Sequence, residues 1–320
     1  MSLQTFSALS PMLAVDMVEE ALGIPVESFV RPCPSHINRV YEMNTQDGLA
    51  FIAKFYRPGR WTEAAIHDEH DFMLDCQDAE IPVIAPAAFA DGDTLAQRNG
   101  IFFAVFPKMG GFPFDSTRPD QWQRLGSLIG RVHAVGEQAD ARHRVILHPA
   151  KSSIDDFDYL RESDAIPLDS RSRFLDAAWQ VINACQRAFP RQAELIRIHG
   201  DCHSLNILDN PNEGLLLIDF DDMVVGPPVQ DLWMLLPDAP ENCRPLINAF
   251  LKGYRIFRDF DERNFRLIEP LRAMKMLYFL AWCARQRGDA NFNTKFPDWY
   301  SRDLWTKQTA DFERQLRRIR

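Results

Sequence analysis

Three side chains stand out by type and spacing. Asp201 lies in His199-Gly-Asp-Cys-His-Ser-Leu-Asn206, Asn206 follows it five residues later, and Asp219 comes directly after the apolar run Leu215-Leu-Leu-Ile218. A carboxylate, an amide and a second carboxylate delivered by a buried strand supply a proton acceptor and oxygen ligands for a hard cation. Phosphoryl transfer needs those parts, as a base for the acceptor hydroxyl and as ligands for magnesium on the phosphates. The His-Gly-Asp triplet alone could be a turn, and residues 219–222 could cap a helix; their joint occurrence in this order favours the chemistry. A zinc set from His199, Cys202 and His203 lacks the second ligand pair that such sites use. His203 is expected as a core histidine.

The elements around these residues change character along the chain. Strand signals flank a loop at Arg31–Asn38, at Phe29–Val30 and at Arg39–Met43. Phe51–Tyr56 reads as a strand, Thr62 offers an N-cap to a helix running to about Gln77, and Ile101–Phe106 is a further buried strand ended by Pro107. Gly110-Gly111 then marks a break. Beyond it the period is helical: Trp122, Leu125, Leu128, Ile129 and Val132 share one face of a helix over Gln121–Gly136, and the same period runs through 153–189 and 241–285. A strand–loop–strand island at 195–225 interrupts it and carries the chemistry. The layout is a small β-rich lobe, a joint near 107–111 and a larger helical lobe.

Two side chains of the small lobe fit this scheme. On the strand 51–56, Phe51, Ala53 and Phe55 share one face, and Ile52, Lys54 and Tyr56 the other. A lysine in a strand that apolar points to a partner anion. On the next helix Glu69 has Ala65 and Ile66 one turn before it and Phe72 and Met73 one turn after. A carboxylate there is costly unless paired, so Glu69 is assigned to Lys54; Glu63, in the first turn, merely suits the helix dipole.

Composition narrows the class. The 320 residues are 46% hydrophobic and 25% charged, ordinary globular values, and the net charge of −9 argues against binding nucleic acid through phosphate neutralisation. The basic run Arg314–Arg320 is too short to reverse that and reads as the solvated end of a helix. There is no stretch of about 18 apolar residues and no basic, then apolar, N-terminal leader. Six scattered cysteines without a CxxC pair suggest free thiols in a reducing compartment, so a cytoplasmic protein without a membrane partner is expected.

The five-residue step from Asp201 to Asn206 matches the catalytic-loop spacing of kinases. His199-Gly-Asp-x-His-x-x-Asn206 followed by Ile218-Asp219 resembles the phosphotransferase motif of the aminoglycoside phosphotransferase and choline kinase superfamily. The runs Asn38-Arg-Val-Tyr41, Lys54-Phe-Tyr-Arg-Pro58, Phe103-Ala-Val-Phe-Pro107, Gly226-Pro-Pro-Val-Gln-Asp-Leu-Trp-Met-Leu-Leu236 and Ile268-Glu-Pro-Leu-Arg-Ala-Met274 resemble, more closely, the bacterial stress response kinase A family. The similarity spans roughly residues 13 to 315. It implies an α+β, two-lobed protein-kinase-like fold, with an ATP-covering lobe over 1–106 and a catalytic, acceptor-binding lobe over 107–320. It also implies a monomeric, cytosolic Ser/Thr protein kinase of the stress response, using ATP with Mg²⁺ and phosphorylating proteins, itself included.

Roles follow for individual residues. Asp201 and Asp219 are the catalytic residues, with Asn206 and Asp219 the magnesium ligands. The resemblance makes Lys54, supported by Glu69, the lysine on the ATP phosphates. The loop Arg31–Asn38 has no glycine, and Pro32 and Pro34 each remove a backbone donor. Side chains must substitute: Ser35, to which the resemblance also points, or Asn38. Pro107–Met109 would offer backbone groups to adenine, and Asp231 is structural. Asp221 stands where a DFG turn has glycine, a pattern shared with small-molecule kinases. Three rivals are therefore kept: a kinase of an aminoglycoside, choline or homoserine-like alcohol; a nucleotide-binding regulator without turnover; and an unrelated metal-binding protein.

Overall fold

The computed structural model describes residues 6, 9–35 and 37–319. In chain order its elements are α1 (Pro11–Leu22), β1 (Arg31–Cys33), β2 (Arg39–Asn44), β3 (Ala50–Phe55), α2 (Glu63–Asp78), β4 (Ala96–Arg98), β5 (Ile101–Pro107), β6 (Phe112–Pro113), α3 (Pro119–Gly136), α4 (Ser152–Glu162) and α5 (Leu168–Ala188). There follow β7 (Ile196–Ile198), β8 (Ile207–Asn210), β9 (Gly214–Leu217), β10 (Val224–Gly226), α6 (Gln230–Trp233), α7 (Arg244–Tyr254), α8 (Ile268–Arg285), α9 (Phe292–Lys295) and α10 (Arg302–Ile319). They form two compact units: residues 1–144, 199–223 and 235–260, and residues 145–198, 224–234 and 261–320. The class is α+β.

The first unit is built on an antiparallel five-stranded sheet in the order β1-β2-β3-β5-β4. Period-2 alternation sends Tyr41, Met43, Phe51, Ala53, Phe55, Phe103 and Val105 to one face, where they bury against Ala14, Val15, Met17 and Val18 of α1. Lys54 is thereby turned to the opposite face. The N-cap of α2 is Thr62, whose Oγ1 accepts from the Ala65 N–H at 3.2 Å. Trp122, Leu125, Leu128, Ile129 and Val132 of α3 are all buried. A second sheet, β6-β8-β9, carries the middle of the island, and the strands at its two ends, β7 and β10, pair with each other.

The sequence expectation departs from the structure in two places. Arg31–Cys33 is a strand, not part of the loop, and Phe29–Val30 is not one. Pro32 is tolerated because β1 is an edge strand, where a missing N–H breaks no ladder. The helical stretches 153–189 and 241–285 each divide, the first at 163–167 before Leu168 and the second at 255–267. Pro167 removes a donor at the first break, and a separate 3₁₀ segment, Glu262–Leu267, occupies the second.

In the second unit, α5 and α10 pack with Phe174 against Trp305 and Phe312 at ring separations of 5.0 and 5.3 Å. Asp231 is fully buried in the first turn of α6. Residues 314–319 of the basic run form the end of α10, and Arg320 lies outside the described residues. Among the described residues all six cysteines are free, and no helix is long and apolar enough to cross a membrane.

Within the first unit α3 and α7 cross at glycines. A Cβ on Gly126 would lie 1.9 Å from the Phe250 carbonyl oxygen, and one on Gly253 1.9 Å from that of Gln123. Both obstacles are backbone, so the helices would have to separate. Gly126→Ala is expected to lower the urea midpoint by the equivalent of about 3 kcal/mol, the upper end of ordinary overpacking costs. A midpoint equal to that of the unsubstituted protein would show that the helices cross elsewhere.

Candidate active site

The hairpin β8–β9 places the two proposed metal ligands. Its register pairs Ile207 with Leu217 and Asn210 with Gly214. Asn206 stands one residue before Ile207 and Asp219 two after Leu217, so pairing brings them to the same end; the Ile218 N–H donates to the Asn206 carbonyl at 3.0 Å. The turn holds this register, since Asn210 Oδ1 accepts from the Asn212 and Glu213 N–H groups at 2.8 and 3.0 Å. A further tie runs from the Leu217 N–H to the Pro82 carbonyl at 3.0 Å.

His199 joins the Asp201 loop to this hairpin. Its Nε2 donates to the Ile218 carbonyl at 2.8 Å, so Nδ1 is the acceptor, facing the Asp201 N–H at 3.3 Å. Gly200 takes φ +81°, the left-handed turn that the His-Gly-Asp triplet requires of its middle residue. Asn206 donates from Nδ2 to the Asp201 carbonyl at 3.0 Å, which leaves Oδ1 as its oxygen for a cation. Asp219 is in the left-handed region too (φ 60°, ψ 70°), and its side chain is 54% exposed between half-buried Ile218 and buried Phe220. A strained, exposed carboxylate is a typical functional placement.

Behind it lies a buried charge cluster. Lys54 Nζ is 3.0 Å from Asp219 Oδ1, 3.4 Å from Asp221 Oδ1 and 3.5 Å from Glu69 Oε1. Burial opposes the ammonium, but Asp219, Asp221 and Glu69 outweigh it and hold the Lys54 pKa well above its ordinary value. Burial also works against Asp221, yet Arg60, Lys54 and Arg144, with a hydrogen bond from Asn38, hold its carboxyl below the usual range. For Glu69 burial dominates and raises the pKa despite Lys54 and Arg144. The Tyr56 hydroxyl is 3.4 Å from Glu69 Oε1 and 2.8 Å from His70 Nε2, and burial lowers the His70 pKa to about 3, so that ring is neutral.

Register also defines what surrounds Lys54 on its sheet face. Val40 and Ala104 flank it directly, and Glu42, Ile52 and Phe106 form the adjoining row. Val40, Ile52 and Phe106 are half-buried. This is an apolar strip next to a cation, suited to a flat ring carrying phosphates.

Not every sequence expectation is met here. His203 is no core histidine: its side chain is 36% exposed, with Nε2 3.4 Å from Asp201 Oδ2. Within the loop Asp201–Asn206 only Cys202 and Asn206 are buried, and His203 is half-buried. Asn38 is buried and occupied, its Oδ1 accepting from the Arg57 N–H at 3.1 Å and its amide bonded to Asp221, so it braces the loop. Ser35 lies exposed on the short turn after β1. Arg60 and Arg144 were missed. Arg60 pairs with Asp221 and with Asp222, the latter at 2.6 Å; neither arginine sits in a motif.

The phosphotransferase enzyme family profile matches residues 30–268. Stress response kinase A of Escherichia coli (strain K12) is 38% identical over 313 residues, covering 98% of this chain and 94% of that protein. Serine/threonine protein kinase RdoA of Salmonella typhimurium is 36% identical over the same coverage. Among solved structures, amicoumacin kinase hAmiN in complex with AMP-PNP, Ca²⁺ and Ami superposes with TM-score 0.71 at 19% identity, covering 94% of this chain and 91% of that one. The microcompartment-associated aminopropanol kinase superposes with TM-score 0.70 at 16% identity, covering 95% and 98%. These two are likenesses of fold, whereas the sequence relatives span the site residues and nearly the whole chain. The chain therefore belongs to the phosphotransferase enzyme family, in its stress response kinase A branch.

Proposed function

We propose that the protein is an ATP- and Mg²⁺-dependent kinase that transfers the γ-phosphoryl group to Ser or Thr hydroxyls of protein, itself included, in a bacterial stress response. The observation that carries this is the Lys54–Glu69–Asp219 cluster, linked through the Ile218 backbone to the Asp201–Asn206 loop. The donor set fits magnesium: an exposed carboxylate and an amide oxygen, both hard oxygen ligands. Bound Mg²⁺ would neutralise phosphate charge as transfer proceeds.

The chain's own residues do the rest. Lys54, kept charged by its carboxylates, swings from Asp219 to the ATP α- and β-phosphates, and Glu69 retains it. Ser35 donates its hydroxyl from above. The strip Val40–Ile52–Phe106 receives the adenine, and Pro107–Met109 offers it backbone groups. Asp201 accepts the proton of the acceptor hydroxyl, with Asn206 holding its backbone in place. Transfer is direct, since no activated side-chain nucleophile is present in the motif. Residues 1–106 act as the ATP-covering lobe and 107–320 as the catalytic and acceptor-binding lobe of a cytoplasmic monomer.

Protein is preferred as acceptor because the relative named as a serine/threonine protein kinase matches this chain over 98% of its length. A small alcohol is the second reading, favoured by neighbours named for amicoumacin and aminopropanol. Incubation with labelled ATP and Mg²⁺, alone and with a basic acceptor protein or a panel of small alcohols, is expected to label Ser or Thr, mapped by mass spectrometry. Label on a small alcohol at low KM with none on protein would replace the first reading by the second.

A further inference from the structure

Arg144 lies in the turn after α3, outside every motif, yet its side chain is fully buried. Its Nε donates to the Met223 carbonyl at 2.8 Å, Nη2 to the Asp221 carbonyl at 2.5 Å and Nη1 to the Ala65 carbonyl at 3.2 Å. Nη1 is also 3.6 Å from Glu69 Oε2, and the guanidinium stacks on the Trp61 ring at 4.0 Å. The turn is pinned beside it, for the His143 N–H donates to Asp68 Oδ2 at 2.7 Å. One planar group thus grips α2 at Ala65 and Glu69, and the metal turn at Asp221 and Met223.

We propose that Arg144 is a positioning residue for phosphoryl transfer: it locks the Glu69 helix to the turn carrying Asp219, so that Lys54 and Asp219 are presented in one geometry. The proposal rests on the phosphotransferase reading above. Burying a guanidinium is costly unless its donors are used, and here three serve carbonyls on two segments. The arrangement needs the fork. A lysine would keep a charge near Glu69 but has no rigid plane to span Ala65, Asp221 and Met223 or to stack on Trp61. Phosphoryl transfer requires the lysine–glutamate pair and the metal carboxylate in place together, and loosening a supporting residue typically costs about 10–100-fold in metal affinity or activity.

The test compares Arg144→Lys and Arg144→Met in the full chain, titrating Mg²⁺ and ATP during phosphoryl transfer. Both variants are expected to raise the half-saturating Mg²⁺ and the KM for ATP by about tenfold or more, with no rescue by lysine. A sample that merely contains unfolded molecules loses maximal rate and keeps both constants. Constants within twofold of the unsubstituted protein, or full rescue by lysine, overturn the proposal. If the unsubstituted protein transfers no phosphate, the phosphotransferase reading falls. Hydrogen exchange then decides the proposal alone: faster exchange confined to 63–73 and 219–223 in Arg144→Lys supports the lock, and unchanged exchange overturns it. If neither variant folds, Trp61→Leu removes the ring stacked on Arg144, which Arg60 also faces at 5.0 Å, and must shift both constants in the same direction; normal constants there overturn the proposal.

Discussion

Asp201→Asn is expected to lower phosphoryl transfer by about 10²–10⁴-fold, the usual cost of removing a general base, while Mg-ATP still binds. The amide keeps the size and shape of the carboxylate. The loop is held by backbone groups, the Asp201 N–H on His199 Nδ1 and the Asp201 carbonyl under Asn206 Nδ2. What disappears is proton affinity at Oδ2, together with the attraction to His203. Turnover and nucleotide affinity measured on one preparation decide it. Unimpaired turnover would place the base elsewhere, and lost nucleotide affinity would mean that Asp201 shapes the site rather than accepting a proton.

Asp219→Asn is expected to act on the other constant. Half-saturating Mg²⁺ should rise by about 10–100-fold and transfer should fall with it, because the carboxylate charge that offsets metal and phosphates is gone. Asparagine suits this test, since it tolerates the left-handed backbone of residue 219. Lys54 keeps Asp221 and Glu69 as charge partners, at 3.4 and 3.5 Å. The variant therefore isolates the carboxylate charge. A magnesium titration that overlays that of the unsubstituted protein would remove Asp219 from the metal site. The two variants thus separate along different axes, one in rate and one in metal dependence.

Much of the site was legible because its logic is local. Asp201 and Asn206 lie five residues apart in one loop, and Asp219 ends an apolar strand, so spacing alone grouped them. Thr62 could be named as a cap from its neighbours. Lys54 and Glu69 were paired because each charge sits on an apolar background and must find an opposite one. The face Phe51, Ala53 and Phe55 followed from alternation, and the same alternation would have found Val40, Ile52 and Phe106 had register been known.

Tertiary structure decided the remainder. Lys54 meets Asp219 across 165 residues of sequence, and Arg144 meets Met223 across 79. Nothing near Arg144 marks it, because its partners are main-chain carbonyls, which every residue type carries. Asp221 read from the sequence only as the residue standing where a DFG turn has glycine; burial among Arg60, Lys54 and Asn38 made it a fixed charge of the cluster. His203 went the other way, out of the core to a half-buried place, since a loop's exposure depends on what packs above it. Periodicity reports which face of a segment is buried. It does not report which distant backbone groups that face will meet, and a buried arginine is specified by those groups alone.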